Sequence, residues 1–157
     1  MINEKLKKIK LVITDVDGVL TDGLLHYDAN GEAIKSFHVR DGLGVKMLMD
    51  AGIQVAVLSG RDSAILRKRI SDLGIKLFFL GKLEKESACL DLMKQAGVTA
   101  EQTAYIGDDS VDLPAFATCG LSFAEQPALA GGEGTPYRSG RSAADAARYL
   151  GKGARRA

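Results

Sequence analysis

The chain has 157 residues, a formal net charge of +1 and 46% hydrophobic residues, which suits one domain with a core of its own. The near-zero charge gives no indication of nucleic acid or a charged membrane surface as a partner, and no apolar run approaches the roughly 18 residues of a membrane span. Cys89 and Cys119 lie in apolar helical contexts and no signal-peptide apolar region follows the basic N-terminus, so we expect reduced core cysteines in a cytoplasmic protein.

Short apolar stretches bounded by glycine alternate with segments of helical spacing. After the first strand, residues 24–39 are predicted to form a β-hairpin, because Asn30-Gly31 is a strong turn signal. Alternating strands and helices indicate an α/β fold, a doubly wound parallel sheet that is covered on both faces. The predicted strands cover residues 9–14, 53–58, 75–80, 103–106 and 121–124, and the predicted helices cover residues 43–51, 62–73 with Asp62 as the N-cap, 82–96 and 110–119.

Carboxylates follow two of these strands. Asp15 and Asp17 come at the end of the first strand, and since residues i and i+2 of an extended strand point the same way, both can address one substrate, one by nucleophilic attack and one by proton transfer. Asp108 and Asp109 follow the fourth strand, with Asp112 one helical turn on. Ligands bind at the carboxyl ends of parallel strands, so we expect one shared site. Such close negative charges need a hard cation such as Mg²⁺, with Asp15 and Asp108 as ligands and Asp109 and Asp112 in support.

Donor and cationic groups are predicted at the same edge of the sheet. Ser59 and Gly60 end the second strand and can offer hydroxyl and backbone donors to phosphate oxygens, and Lys85 lies just past the third strand. An aspartyl-phosphate, a metal and a lysine would together divide the high barrier to phosphate monoester hydrolysis. The pattern therefore favours a metal-dependent phosphatase.

These motifs together resemble those of the haloacid dehalogenase-like superfamily of phosphotransferases. The resemblance implies that Asp15 is the nucleophile, that Asp17 is the general acid and base with its backbone carbonyl facing the metal, and that Asp108 completes the Mg²⁺ site. The matching segments are Asp15-Val16-Asp17-Gly18-Val19, Ser59, Lys85, and Gly107-Asp108-Asp109 with Asp112.

A longer set of residues, 14–23, 37–42 and 58–61, is similar to the 3-deoxy-D-manno-octulosonate 8-phosphate phosphatase family. The resemblance implies a Mg²⁺-dependent, cytoplasmic homotetramer that releases a free sugar acid for lipopolysaccharide. Two alternatives stay open: a phosphatase for a related nine-carbon sugar acid 9-phosphate, and a non-catalytic assembly domain. The presence of all the acidic motif residues and of Lys85 argues against the second.

The gaps between the motifs are too short for a cap domain. Only the hairpin and one helix separate the first motif from the second, and one helix separates the third from the fourth. A site open to water is a poor one for this chemistry, so a neighbouring subunit is expected to serve as the lid. The resemblance implies that hairpins like residues 24–39 build the tetramer, whereas the plain alternative is an edge decoration.

Two arginines are candidate substrate ligands. A sugar-acid phosphate carries a carboxylate as well as a phosphate, and arginine matches planar oxyanions. Arg61 lies beside the predicted phosphate loop. Arg40, followed by Asp41, either contacts the substrate or forms a salt bridge at the hairpin base.

The composition changes after residue 124. Residues 125–157 carry six Lys/Arg against three Asp/Glu and are rich in glycine, with one possible helix over residues 143–150. They depart from the Gly-Gly-x-Gly-Ala-x-Arg-Glu-like segment and final helix that the family has. We therefore expect a catalytic domain over residues 1–124 and an atypical, partly disordered C-terminal segment, or one that keeps only part of a lid function.

Overall fold

The computed structural model of the chain describes residues 2–124. The C-terminal segment 125–157 and its predicted helix over residues 143–150 lie outside the described residues. Within the described part, no helix is long and apolar enough to cross a membrane.

Strands and helices alternate along the described chain. They are joined in two places by short 3₁₀ turns, at Ala100–Gln102 and at Ser110–Asp112. In chain order the elements are α1 (Ile2–Lys8), β1 (Leu11–Thr14), β2 (His26–Asp28), β3 (Gly31–Ile34), α2 (Val39–Asp50), β4 (Gln54–Ser59), α3 (Ala64–Leu73), β5 (Leu77–Leu80), α4 (Lys85–Ala96), β6 (Thr103–Gly107), α5 (Leu113–Thr118) and β7 (Leu121–Ala124).

Five of the strands form one parallel sheet in the order β5-β4-β1-β6-β7. The central strand β1 is buried throughout, as expected of a strand with neighbours on both edges and helices on both faces. Thr14, its last residue, pairs with Val57 of β4 and Ile106 of β6. The residues that follow these three strands therefore meet at one edge of the sheet, and the predicted α/β fold is confirmed.

The core has two layers, one on each face of the sheet. Val12 belongs to the cluster that includes Val45 of α2 and Leu66 of α3. Its neighbour Leu11 belongs to the opposite cluster, with Leu92 of α4. Successive residues of a strand point to opposite faces, so β1 holds both layers together and fixes where its carboxyl end lies.

The predicted hairpin is present but shorter than expected. Strands β2 and β3 pair antiparallel from His26 opposite Ile34 to Asp28 opposite Gly31. The predicted second arm runs to Val39, whereas β3 ends at Ile34 and Val39 already begins α2. The His38 side chain accepts a hydrogen bond from the Arg40 backbone N–H at 3.0 Å and so caps this helix.

Most helix starts differ from the predictions: α2 begins at Val39 rather than at residue 43, and α5 begins at Leu113 rather than at residue 110. Helix α1 was not predicted, and α4 begins at Lys85 rather than at residue 82. Asp62 was the wrong cap for α3, because Ser63 is the N-cap and its Oγ accepts from the Leu66 N–H at 3.2 Å. The Asp62 carboxylate instead pairs with the Arg67 guanidinium.

Candidate active site

A pocket of about 550 Å³ opens at the carboxyl edge of the sheet. It lies where ligands bind in open parallel sheets. Most of its polar lining was predicted from the sequence. The lining residues include Asp15, Asp17, Gly60, Arg61, Lys85, Asp108 and Asp109, with Leu83 and Val111 as its larger apolar members.

Asp15 lies directly after β1 and is only 7% exposed. Its backbone N–H donates to the Ile106 carbonyl at 2.9 Å, which continues the pairing of β1 with β6. One carboxylate oxygen accepts from the Val16 N–H at 2.7 Å, and the other lies 2.9 Å from Lys85 Nζ. Burial raises the pKa of Asp15 to about 7, against the attraction of Lys85.

Lys85, the first residue of α4, is buried among acidic groups. Its ammonium lies 2.9 Å from Asp15 Oδ2 and 2.6 Å from Asp112 Oδ1. Burial alone would lower the pKa of Lys85, but these two carboxylates outweigh it and raise the pKa. The lysine therefore keeps a fixed positive charge beside Asp15, as the sequence predicted.

Asp112 is fully buried and its two oxygens accept from four donors. Oδ1 accepts from Lys85 Nζ and from the Tyr105 hydroxyl, each at 2.6 Å. Oδ2 accepts from the backbone N–H groups of Asp108 at 3.0 Å and Asp109 at 3.1 Å. Burial raises the pKa of Tyr105, so its hydroxyl stays a neutral donor. Asp112 thus holds the strand end that carries Asp108, and its predicted support of a metal site stays a prediction.

Carboxylate oxygens of Asp15, Asp108 and Asp112 lie within 4.8 Å of one another. Burial and the neighbouring charges of Asp112 and Asp109 raise the pKa of Asp108 to about 6. The negative charges thus exceed what Lys85 compensates, and oxygen donors of this kind suit a hard divalent cation such as Mg²⁺. The predicted pair Asp15 and Asp108 is brought together, with Asp112 occupied by its own four donors.

Gly18 lets the Asp108 side chain approach this group. The backbone of Gly18 has φ +83°, and a Cβ there would lie 1.8 Å from Asp108 Oδ2. No side chain fits in that space, and the positive φ itself favours glycine. Gly18 therefore leaves the space that the Asp108 carboxylate occupies at the site.

Asp17, which is predicted to be the general acid and base, is held by two cations. Lys35 Nζ hydrogen-bonds to Asp17 Oδ1, and Arg61 Nε lies 3.8 Å from Oδ2. Lys35 also lies 3.0 Å from Glu32 Oε1. Burial would lower the pKa of Lys35, but Asp17 and Glu32 raise it, so the ammonium stays charged.

Sequence reasoning missed Lys35. In the alternation of the hairpin arm, Lys35 and Phe37 share a side, and Phe37 packs against the core. That shared side was the available signal that this lysine points inward.

The remaining predicted residues divide into two sets. Gly60 and Arg61 line the pocket, while Ser59 is buried beside it, with its Oγ accepting from the Arg61 N–H at 3.1 Å. Arg40 lies exposed in the first turn of α2 and is not among the lining residues. The described chain therefore does not bring Arg40 to this pocket.

Comparison with known proteins points to one family. The model of the haloacid dehalogenase-like hydrolases matches residues 38–120. The 3-deoxy-D-manno-octulosonate 8-phosphate phosphatase of Haemophilus influenzae is 88% identical over 121 residues, which are 77% of this chain and 67% of that protein. The phosphatase of the same name from Escherichia coli K12 is 41% identical over 120 residues, 76% of this chain and 64% of the relative.

Solved structures of these phosphatases have the same fold. The cobalt-bound H. influenzae phosphatase superposes with a TM-score of 0.87 at 69% identity, over 95% of this chain and 93% of that one. The Moraxella catarrhalis phosphatase, in complex with magnesium, phosphate and the sugar acid KDO, superposes with a TM-score of 0.84 at 34% identity, over 97% and 91%.

Proposed function

The chain belongs to the haloacid dehalogenase-like hydrolases and, within them, to the 3-deoxy-D-manno-octulosonate 8-phosphate phosphatase family, and we propose that it hydrolyses 3-deoxy-D-manno-octulosonate 8-phosphate to the free sugar acid and inorganic phosphate. The observation that carries the proposal is the buried Asp15 carboxylate facing the pocket, between Lys85 and the oxygens of Asp108. A carboxylate nucleophile beside fixed positive charge is the arrangement that phosphoryl transfer through an aspartyl-phosphate requires.

In the first step, an Asp15 oxygen attacks the phosphorus and the bond between phosphorus and the sugar oxygen breaks. Asp17, in its protonated form, donates a proton to that leaving oxygen, so the sugar acid departs as an alcohol. Lys85 neutralises part of the charge that develops on the phosphoryl oxygens. The products of this step are the free sugar acid and an aspartyl-phosphate at Asp15.

In the second step, water attacks the phosphorus of the aspartyl-phosphate. Asp17, now a carboxylate, takes a proton from that water, and the bond between phosphorus and Asp15 breaks. Inorganic phosphate leaves, Asp15 is again a carboxylate and Asp17 is again protonated. The Gly60 backbone N–H, directly after β4, is suited to orient the phosphoryl oxygens in both steps.

Mg²⁺ fits the acidic group of this site. Asp15 and Asp108 would hold the ion, together with the backbone carbonyl of Asp17. When bound, Mg²⁺ supplies a positive charge that lets the carboxylates and the phosphate come close together. The magnesium in the M. catarrhalis phosphatase supports this assignment.

We assign the carboxylate end of the substrate to Arg61. Its side chain is 43% exposed, lines the pocket and can present a planar guanidinium to a carboxylate or a phosphate. We propose that the free sugar acid serves lipopolysaccharide synthesis and that the enzyme acts in the cytoplasm, as the resemblance to this family implies.

We propose that the assembly is a homotetramer built through the hairpin. Apolar side chains are exposed on the hairpin and on the adjoining helix α2, a combination that marks interaction surfaces. A neighbouring subunit at this surface would also cover the pocket, over which the described residues 2–124 place no cap domain. The exposed side chains are those of Leu24, Leu25, Tyr27, Ile34, Val39, Leu43 and Met47.

The proposed function is tested by phosphate release from a panel of sugar phosphates in the presence of Mg²⁺. We expect kcat/KM to be highest for 3-deoxy-D-manno-octulosonate 8-phosphate. A nine-carbon sugar acid 9-phosphate tests the length of the substrate, and a neutral hexose phosphate tests the need for its carboxylate. No release from any member of the panel would contradict phosphatase activity, and a preference for the nine-carbon acid would contradict the substrate.

A further inference from the structure

Lys35 is buried in an otherwise exposed part of the chain. All three residues of β2 are exposed, and β3 is exposed or half-buried. The Lys35 side chain is nevertheless only 2% exposed. A buried ammonium group is unfavourable unless carboxylates compensate it. Its burial therefore points to specific partners rather than to general packing of the hairpin.

Those partners connect the hairpin with the active site. Lys35 Nζ hydrogen-bonds to Asp17 Oδ1, 18 positions earlier in the chain, and lies 3.0 Å from Glu32 Oε1. A second link joins the hairpin to the segment after β4, since Arg61 donates to the Tyr27 hydroxyl at 3.1 Å. The hairpin thus contacts Asp17 after β1 through Lys35, and Arg61 after β4 through Tyr27.

The contact orients the Asp17 carboxylate. With Oδ1 engaged by Lys35, rotation of the side chain is restricted, and Asp17 lines the pocket while Lys35 does not. Lys35 is therefore placed to act through Asp17 and not on a substrate. A protonated carboxyl group can donate its proton to a leaving oxygen only within hydrogen-bond reach of it, so the orientation of the Asp17 side chain affects the rate of that step.

We propose that Lys35 is a positioning residue that fixes the Asp17 carboxylate for proton transfer to the leaving sugar oxygen, and that the hairpin thereby controls the acid step of the active site. The inference rests on the proposed function, in which Asp17 is the general acid. It adds a residue outside the pocket to the catalytic arrangement.

Two substrates with different leaving groups test this role. The sugar oxygen of 3-deoxy-D-manno-octulosonate 8-phosphate needs a proton when it leaves, whereas the phenolate of p-nitrophenyl phosphate does not. For Lys35→Met we expect kcat on the sugar phosphate to fall at least about tenfold, with less than about a threefold fall on p-nitrophenyl phosphate and an unchanged KM. Lys35→Arg, which keeps the charge, should restore part of the lost rate.

A double variant shows whether Lys35 acts through Asp17. If it does, adding Lys35→Met to Asp17→Asn should cause no further loss on the sugar phosphate, because coupled residues are non-additive. Lys68→Met is the matched control: Lys68 pairs with Asp72 on the exposed surface of α3, and its removal should change neither rate. Circular dichroism checks that each variant is folded.

The outcomes distinguish the positioning role of Lys35 from the proposed phosphatase function. Equal slowing of both substrates by Lys35→Met in folded protein, or a full additional loss on the Asp17→Asn background, would overturn the positioning role alone. If Lys35→Met does not fold, Lys35→Gln and the partial rescue by arginine decide on the same two substrates. A wild-type chain that releases phosphate from neither substrate would contradict the proposed function as well.

Discussion

The ammonium of Lys85 lies 2.6 Å from Asp112 Oδ1, and the two side chains are 1% and 0% exposed. Lys85 begins α4 and Asp112 follows β6, so this ion pair joins two segments that are far apart in sequence. Because the same ammonium contacts Asp15 at 2.9 Å, Asp112 fixes the position of the positive charge beside this proposed nucleophile.

Replacing Asp112 by asparagine should be strongly destabilising. Each carboxylate oxygen of Asp112 accepts hydrogen bonds from two donor groups. The NH₂ group of an asparagine would therefore face donors, and make no hydrogen bond to them, in either orientation of the amide. We expect the free energy of unfolding to fall by about 3 kcal/mol, measured by urea denaturation. Asp72→Asn, which removes an exposed pair with Lys68, should cost less than about 1 kcal/mol. Equal losses in the two variants would be inconsistent with the buried network.

Gly18→Ala should weaken metal binding through Asp108. The added Cβ would lie 1.8 Å from Asp108 Oδ2, whereas Gly52, with a similar φ of +80°, has nothing within 4 Å. Both alanine variants should lose about 1 kcal/mol of stability from the positive φ. Only Gly18→Ala should lower Mg²⁺ affinity, by at least about tenfold, in calorimetric titration. Unchanged Mg²⁺ affinity in Gly18→Ala would contradict the claim that the close approach of Gly18 and Asp108 matters for metal binding.

Mg²⁺ should stabilise the protein more at high pH than at low pH. The folded pKa of Asp15 is raised from 3.8 to about 7, and that of Asp108 to about 6. Between about pH 4 and pH 7 the metal-free folded state therefore binds more protons than the unfolded state, so this contribution to stability falls as the pH rises. Mg²⁺ needs the deprotonated carboxylates.

The rise in Tm on adding Mg²⁺ is thus expected to be larger at about pH 8 than at about pH 5.5, as measured by differential scanning fluorimetry. NaCl at the same ionic strength serves as the control for ionic strength. An equal rise in Tm at both pH values would contradict proton competition at these carboxylates.

Ile34→Lys should disrupt the proposed tetramer. Ile34 is 60% exposed on the hairpin. In a subunit interface built through the hairpin, a charge at this position would be buried, which is unfavourable. Light scattering should give about four times the 16.7 kDa chain mass for the wild type, and less for the variant, with reduced phosphatase activity. Leu90→Lys, at a 51% exposed site on α4, should stay tetrameric. A fully active monomer would argue against a lid supplied by a neighbour.

Much of the fold follows from local patterns in the sequence. Strand β1 is a short apolar run in the centre of a parallel sheet, and such strands are recognisable because both faces are buried. The predicted end of the helix at residue 73 is confirmed, and Gly74 directly after it adopts φ +74°, a common way for a helix to end. Once the strand ends were known, parallel pairing was enough to bring Asp15, Lys85 and Asp108 together.

Other features depended on contacts that the sequence pattern does not contain. Ser63 rather than Asp62 caps α3, because Asp62 is engaged by Arg67. The inward direction of Lys35 depends on how the hairpin folds back over Asp17. Arg40 is taken away from the pocket by the early start of α2 at Val39. Its predicted contact with a substrate stays a prediction.

The most direct test of the central claim is the rate of phosphate release by Asp15→Asn with Mg²⁺ and 3-deoxy-D-manno-octulosonate 8-phosphate. The side chain keeps its shape but cannot form an aspartyl-phosphate, so we expect kcat to fall at least about 1,000-fold while circular dichroism shows a folded protein. Asp22→Asn, at an exposed carboxylate nearby, should keep the wild-type rate. Turnover by Asp15→Asn at the wild-type rate would contradict the assignment of Asp15 as the nucleophile.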